Sequence, residues 1–126
     1  MIQEGYVSFE TAKLLEEKGF NEPCNGRYSY RGGNVVVENY PISNESLKYH
    51  PNIDGISAPT HQMAMAWLRE KHIIFVFKPA SFSGEDCTSW TYEIWAGDNF
   101  EGEILSFKTY EEAVEAACLY VLKNLI

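Results

Sequence analysis

Basic side chains are scarce in this chain. Ten lysines and arginines stand against eighteen aspartates and glutamates, leaving a formal charge of −8. A field of that sign repels phosphate backbones and anionic lipid headgroups, so nonspecific nucleic-acid binding is disfavoured. The same acidity serves solubility equally well with no partner behind it. Cysteine is scarce too: Cys24, Cys87 and Cys118 are an odd number at wide spacings, with no CxxC pair and no dense secreted framework, and a reducing cytoplasm is expected. Long apolar runs are missing. A run such as residues 73–77 is far too short to span a bilayer, and the opening MIQEGYVSFETAK has neither a basic n-region nor an apolar h-region, so neither secretion nor membrane insertion is indicated.

What the chain does have is apolar and aromatic surface. With 126 residues, 45% hydrophobic and 14% aromatic, it carries enough to offset chain entropy around one core. The expectation is one α+β domain over residues 1–126, with no internal repeat, in which residues 1–58 hold a helix, a hairpin and a long loop. Ser8 reads as an N-cap for a helix over 9–18, with Glu10 in its first turn, Lys18 in its last and Gly19 as a left-handed stop. Phe9, Ala12, Leu14 and Leu15 form the apolar stripe, and Pro23 bars continuation. Residues 28–31 and 34–38 are β-prone runs around Gly32 and Gly33, a pair suited to a tight hairpin turn. Residues 39–58 turn to Pro, Asn, Ser, Gly and Asp, which predicts a long connection pinned by Tyr40, Leu47, Tyr49 and Ile53.

Residues 59–126 read more regularly. Thr60 can cap a helix to about residue 71, with Ala64, Trp67, Leu68 and Lys71 on one face. Residues 72–78 are a β-branched and aromatic run with apolar residues at successive positions, which predicts a central strand covered on both faces. A polar loop is expected over 79–89, then a strand in which Trp90, Tyr92 and Ile94 alternate against Thr91 and Glu93. After a turn at 97–102 a third strand covers 103–107. Thr109 and Glu112 form a T-x-x-E capping box opening a helix to the C-terminus, with Ala113, Ala116, Ala117, Tyr120 and Val121 on a stripe widened by Val114, Cys118, Leu122 and Leu125. The predicted architecture is therefore an antiparallel sheet with helices packed on one face, in the order helix, three strands, helix over residues 60–126, preceded by a helix and a β-hairpin.

That order resembles the double-stranded RNA-binding domain, whose RNA contacts come from the first helix, the loop between the first two strands and a lysine cluster opening the last helix. The chain departs from that pattern at two of these places. The lysine cluster is replaced by Tyr110, Glu111 and Glu112, and the loop over 79–89 offers Glu85 and Asp86 with no basic residue, so the resemblance implies architecture without RNA binding. A second resemblance lies in wording. VSFETAKLLEEKGFNEPC, APTHQMAMAWLRE and FKTYEEAVEAACLYVLKNLI look like segments of a family of small uncharacterised proteins of gut-bacterial phages and mobile elements, less than half the chain in all. It implies a cytoplasmic accessory protein and carries no catalytic residues with it.

Chemistry-bearing residues are few. His50, His61 and His72 recur at a regular interval that matches neither helical i, i+4 spacing nor the short gaps of zinc modules, so structural roles are expected and no metal or other cofactor is implied. Cys87 sits beside Glu85 and Asp86, which disfavour its thiolate, while Cys118 falls on an apolar helix face and Cys24 in a turn. Glu85 with Asp86, and Asp98 with Glu101 and Glu103, read as turn acids without an apolar wall to tune one of them. RGGN from Arg31 lacks the lysine of a phosphate-binding loop and reads as a turn. Aromatics are the remaining signal. Trp95 points opposite to Tyr92 and Ile94, so either the N-terminal hairpin covers that face or a partner does, and Tyr28, Tyr30, Trp95 and Phe100 are the candidate partner surface. The function expected is a non-catalytic protein-interaction or accessory role, with a protein partner or a second copy. The alternatives are a small hydrolase or transferase using His61 or His50 with loop acids, and an acidic nucleic-acid mimic.

Overall fold

A computed structural model describes residues 5–50 and 53–126, and of residues 103–105 the backbone alone. Local chemistry sets the first helix, α1 (Phe9–Glu17): the Ser8 hydroxyl accepts the Thr11 N–H at 3.2 Å. At the other end Gly19 takes φ +96°, its N–H reaches the Glu16 carbonyl at 3.0 Å and the Phe20 N–H reaches the Leu15 carbonyl at 2.8 Å. These paired bonds satisfy carbonyls that the helix end would otherwise leave open. Thr11, Ala12 and Leu15 are buried.

The chain divides into two compact units, residues 1–64 with Ile126, and residues 65–125. In the first, β1 (Cys24–Ser29) is the middle strand of an antiparallel sheet, flanked by β2 (Gly32–Ile42) and β3 (Ile56–Ser57). The hairpin expected here is present, but Ser29 pairs with Gly32, so Tyr30 and Arg31 make the turn and Gly32, at φ +81°, follows it. A left-handed glycine after the turn absorbs the twist mismatch between a common turn and the strands. Residues 39–58, expected as irregular, instead carry the end of β2, the helix α2 (Asn44–Tyr49) and β3, while residues 51–52 lie outside the described residues.

Two tight constraints hold β3 in place. A side chain on Gly55 would stand 1.9 Å from the Tyr28 carbonyl oxygen, and one on Gly26 would stand 2.5 Å from the Ala58 carbonyl oxygen. Only bare backbone fits at these crossings. Asn44, buried at the start of α2, adds a polar tie: its amide donates to the Phe20 carbonyl at 2.8 Å and its oxygen accepts the Ser57 N–H at 2.8 Å.

The second unit holds the antiparallel sheet β4 (Ile73–Ser83), β5 (Asp86–Ala96) and β6 (Asn99–Phe107), with α4 (Tyr110–Asn124) packed on it. The helix α3 (His61–Glu70) leads into it, with Thr60 accepting the Met63 N–H at 3.3 Å. Helices plus antiparallel sheets make the fold α+β, as expected. The strand over 72–78 is corrected, however: β4 lies at the sheet edge, β5 is central, and Ile74 and Val76 are exposed. A continuous apolar run does not distinguish burial on both faces from a strand with an apolar outer face. The loop expected over 79–89 is corrected as well. The β4–β5 ladder runs out to Ser83 opposite Asp86, leaving Gly84 and Glu85 as the whole turn, with Gly84 at φ +62°. Gly97 at φ +64° likewise opens the β5–β6 turn, whose flanking pair is Ala96 and Asn99.

The last helix takes the Thr109 cap that the T-x-x-E pattern predicts, but the reciprocal glutamate bond falls one residue before the cap. Thr109 accepts the Glu112 N–H at 3.1 Å, and the Glu112 carboxylate reaches back to the Lys108 N–H at 3.3 Å. Ala113, Val114, Ala117, Cys118, Val121 and Leu122 are its buried face. At the end of α3, His72 stands at φ +68° with its N–H on the Arg69 carbonyl at 2.9 Å, in the position where glycine usually ends a helix.

Two stability outcomes follow. Asn44→Ala removes the buried bonds to the Phe20 carbonyl and the Ser57 N–H and lowers unfolding free energy by about 2–3 kcal/mol, read as a lower urea midpoint. His72→Gly relieves left-handed strain and raises stability by about 0.5–1 kcal/mol, read the same way; an unchanged midpoint would show that the strain is absorbed elsewhere.

Candidate partner-binding face

Strand alternation sorts the second unit's side chains between two faces. Tyr92 and Ile94 of β5 are buried, each 1% exposed. On this inner face Tyr110, the first residue of α4, meets Phe77 and Trp90 edge to face at centroid distances of 5.2 and 5.3 Å. The Tyr92 ring stacks on Phe107 at 5.9 Å, and its hydroxyl has no hydrogen-bond partner among the described residues.

The other face is built by register. Ile74 pairs with Trp95, Val76 with Glu93 and Lys78 with Thr91, so Ile74, Val76 and Lys78 of β4 share a face with Trp95 and Glu93 of β5. On β6, Phe100 pairs with Trp95 and their rings lie 5.2 Å apart at 59°. Ile74 is 49% exposed, Val76 39% and Phe100 50%, and Trp95 is half-buried. Beyond this apolar group the Lys78 ammonium meets the Glu93 carboxylate at 3.2 Å. In the same ladder Glu103 occupies the register position opposite Glu93, and Asp98 sits exposed in the adjoining turn. The result is an apolar patch edged by the Lys78–Glu93 ion pair.

Of the four aromatics singled out by sequence, Trp95 and Phe100 come together here. Tyr28 is interior to the first unit: it is 8% exposed, meets Phe9 edge to face at 5.5 Å and donates its hydroxyl to the Val7 carbonyl at 2.7 Å. Tyr30 is exposed in the β1–β2 turn. Ile74 and Val76 were not singled out, because the run containing them reads as buried.

The residues weighed for catalysis fall at separate places in the fold. His50 accepts the Ile53 N–H on Nδ1 at 3.1 Å, fixing the chain after α2. His61 is buried at the start of α3, with its backbone N–H on the Gly5 carbonyl at 2.9 Å. Glu85 and Asp86 belong to the β4–β5 turn and its flank. Among the described residues no group of three or more His, Cys, Asp or Glu gathers as a metal cluster. A cleft of about 330 Å³ in the first unit opens between the end of α1 and α2, lined by Glu16, Asn21, Glu45, Lys48 and Tyr49 among others. Its amide is already committed: Asn21 donates to the Glu45 carboxylate at 3.2 Å and accepts the Glu45 N–H at 2.8 Å, capping α2.

The thiols divide by burial. Burial, with Glu22 adding to it, pushes the Cys24 thiol up to about 12, and burial with Glu115 does the same to Cys118. Cys87 is half-buried and lies against the Ser89 carbonyl at 3.1 Å. Burial, with Tyr120 adding to it, also pushes the Tyr92 phenol up to about 12. Comparison with protein-family models, with curated proteins and with solved structures finds no match to the chain. No helix among the described residues is long and apolar enough to cross a membrane.

The raised thiols set a pH dependence. The unfolded chain ionises these cysteines near their ordinary value of 9.0 while the folded chain keeps them neutral up to about 12, so folding binds protons in that window. Stability is flat with respect to these groups below pH 9 and falls above it, by up to about 1.4 kcal/mol per pH unit for each thiol. Urea unfolding at stepped pH values checks this. The Cys118→Ala chain shows a shallower decline than wild type, and an identical slope in the two would remove Cys118 as a contributor.

Proposed function

We propose that this chain is a non-catalytic protein-interaction module that binds a partner through the outer face of its β4–β5–β6 sheet. The observation that carries the reading is the grouping of Ile74, Val76, Trp95 and Phe100 in one exposed patch. Scattered single apolar side chains on a surface need no explanation, whereas a contiguous aromatic and aliphatic group on rigid strands is the composition of interface centres. The tilted contact between the Trp95 and Phe100 rings holds both against each other before any partner arrives, which reduces the entropy lost on docking.

The sequence segments that resemble small proteins of gut-bacterial phages and mobile elements give this module its proposed setting, as an accessory protein acting on a host or element-encoded partner. The hydrolase or transferase alternative loses ground, because His50 spends its Nδ1 on a backbone N–H and the hairpin acids are turn residues. The acidic-mimic alternative has no observation favouring it.

Immobilised wild-type chain is expected to retain a partner from host lysate. The Trp95→Ser/Phe100→Ser chain, confirmed as folded by circular dichroism, is expected to lose it, whereas Tyr30→Ala keeps it. Equal retention by wild type and the double variant would remove the outer face from the interaction.

A further inference from the structure

A strand at the end of a sheet carries a row of backbone N–H and C=O groups on its free side, and folded proteins blunt such rows with short strands, bulges, proline or charge. Three of the four edge strands here are blunted. β3 is two residues long, β2 loses register with β1 twice and contains Pro41, and β6 loses register with β5 twice and takes positive φ at Gly102 and Ser106. β4 is different. From Ile73 to Pro79 it pairs with β5 through seven consecutive positions without a shift, and among the described residues no strand pairs with its other side. Lys78 and Pro79 guard only the far end of that stretch.

The unguarded part, residues 73–77, is IIFVF, apolar at every position. A run of that kind is the composition of an interior strand, with a neighbour on each side and cover on both faces. β4 has the composition without the second neighbour. Ile74 and Val76 are exposed on the outer face, and Phe75 and Phe77, their rings stacked at 5.9 Å, are half-buried on the inner one.

Only an extended backbone can bond to such an edge, and a second β4 supplies one, because an antiparallel edge is complementary to itself across a two-fold axis. An axis at Phe75 sets Phe75 against its own copy, Ile74 against Val76 and Ile73 against Phe77, with every side chain keeping its face. No other centre matches all five apolar residues with apolar residues. Charge does not oppose the pairing, since the single ionised side chain of β4, Lys78, is neutralised by Glu93 at 3.2 Å.

We infer that the chain forms a two-fold dimer by antiparallel pairing of β4 with the β4 of a second copy, centred at Phe75. The two three-stranded sheets then become one continuous sheet, in which β4 is the central strand its composition describes. Trp95 and Phe100 lie on the neighbouring strands and take no part in the pairing, so the partner face stands or falls separately.

Sedimentation velocity of the full chain, from about 5 to about 500 µM, is expected to show a monomer passing to a dimer. Hydrogen exchange read by mass spectrometry is expected to slow about tenfold over residues 73–77 across that range, with no change over β2. Ile74→Lys/Val76→Lys sets lysine against lysine across the axis and weakens the dimer about tenfold or more, whereas Ile74→Glu/Val76→Lys sets glutamate against lysine and recovers at least about fivefold of that loss. Both positions are exposed, and circular dichroism confirms that the variants are folded.

A wild-type chain that stays monomeric over the whole range overturns the inference. So does a dimer in which exchange over residues 73–77 is unchanged, or one that the two charge variants weaken equally. Trp95→Ser/Phe100→Ser is expected to keep the dimer; if it dissolves the dimer, the copies meet through the outer face and the edge pairing is excluded. Loss of the lysate partner with the dimer intact leaves the edge pairing standing, and loss of the dimer alone leaves the partner face standing.

Discussion

A helix of fifteen residues reaches about 22 Å and has one side to offer, whereas the eleven-residue strands it covers reach about 36 Å. That mismatch governs the second unit. α4 buries Tyr92 and Ile94 under its apolar face, and the strands run on beyond what it can shield, so residues 79–86 are exposed throughout. There the ladder relies on other means: the Ser81 hydroxyl lies 2.8 Å from that of Thr88 and 2.6 Å from that of Ser89, a polar tie across strands where no core is present. On the outer face Ile74, Val76 and Phe100 are left exposed. The candidate interface is thus a consequence of how little helix the unit has for its sheet.

In the first unit the equivalent constraint is one of space. β3 is only two residues long, and two backbone pairings with β1 would hold little by themselves. Gly26 and Gly55 let the chains approach more closely than any side chain allows, and Asn44 uses both ends of its amide on the backbone around them. A buried amide with both ends satisfied fixes geometry without the cost an unpaired one would carry.

Helix ends were legible because their signals are local: Ser8, Gly19, Thr60 and Thr109 all do what their sequence positions imply. What was not legible depended on distant neighbours. α2 has its own cap, Ser43 accepting the Ser46 N–H at 3.2 Å, with Glu45 in its first turn and Lys48 in its last, but the surrounding Pro and Asn content outweighed that cue. β4 misled in the opposite direction, since its apolar residues announce contact without saying whether the contact is with this chain. Trp95 was found because alternation made it the odd residue on its strand; Ile74 and Val76 were hidden by a run with no odd residue in it.

The two sheets also differ in the order in which they can assemble. Every pairing between β4 and β5 is closed through the Gly84–Glu85 turn, so each new pair forms beside one already made. The β1–β3 pairing must instead bring Arg27 to Ser57 across an intervening strand and helix before any bond rewards the closure. Local ladders zip in microseconds, and distant ones wait on loop closure. The hairpin that overhangs the helix therefore depends on the rest of the molecule far less than β3 does for its formation, a self-starting element whose exposed face exists early in the life of the chain.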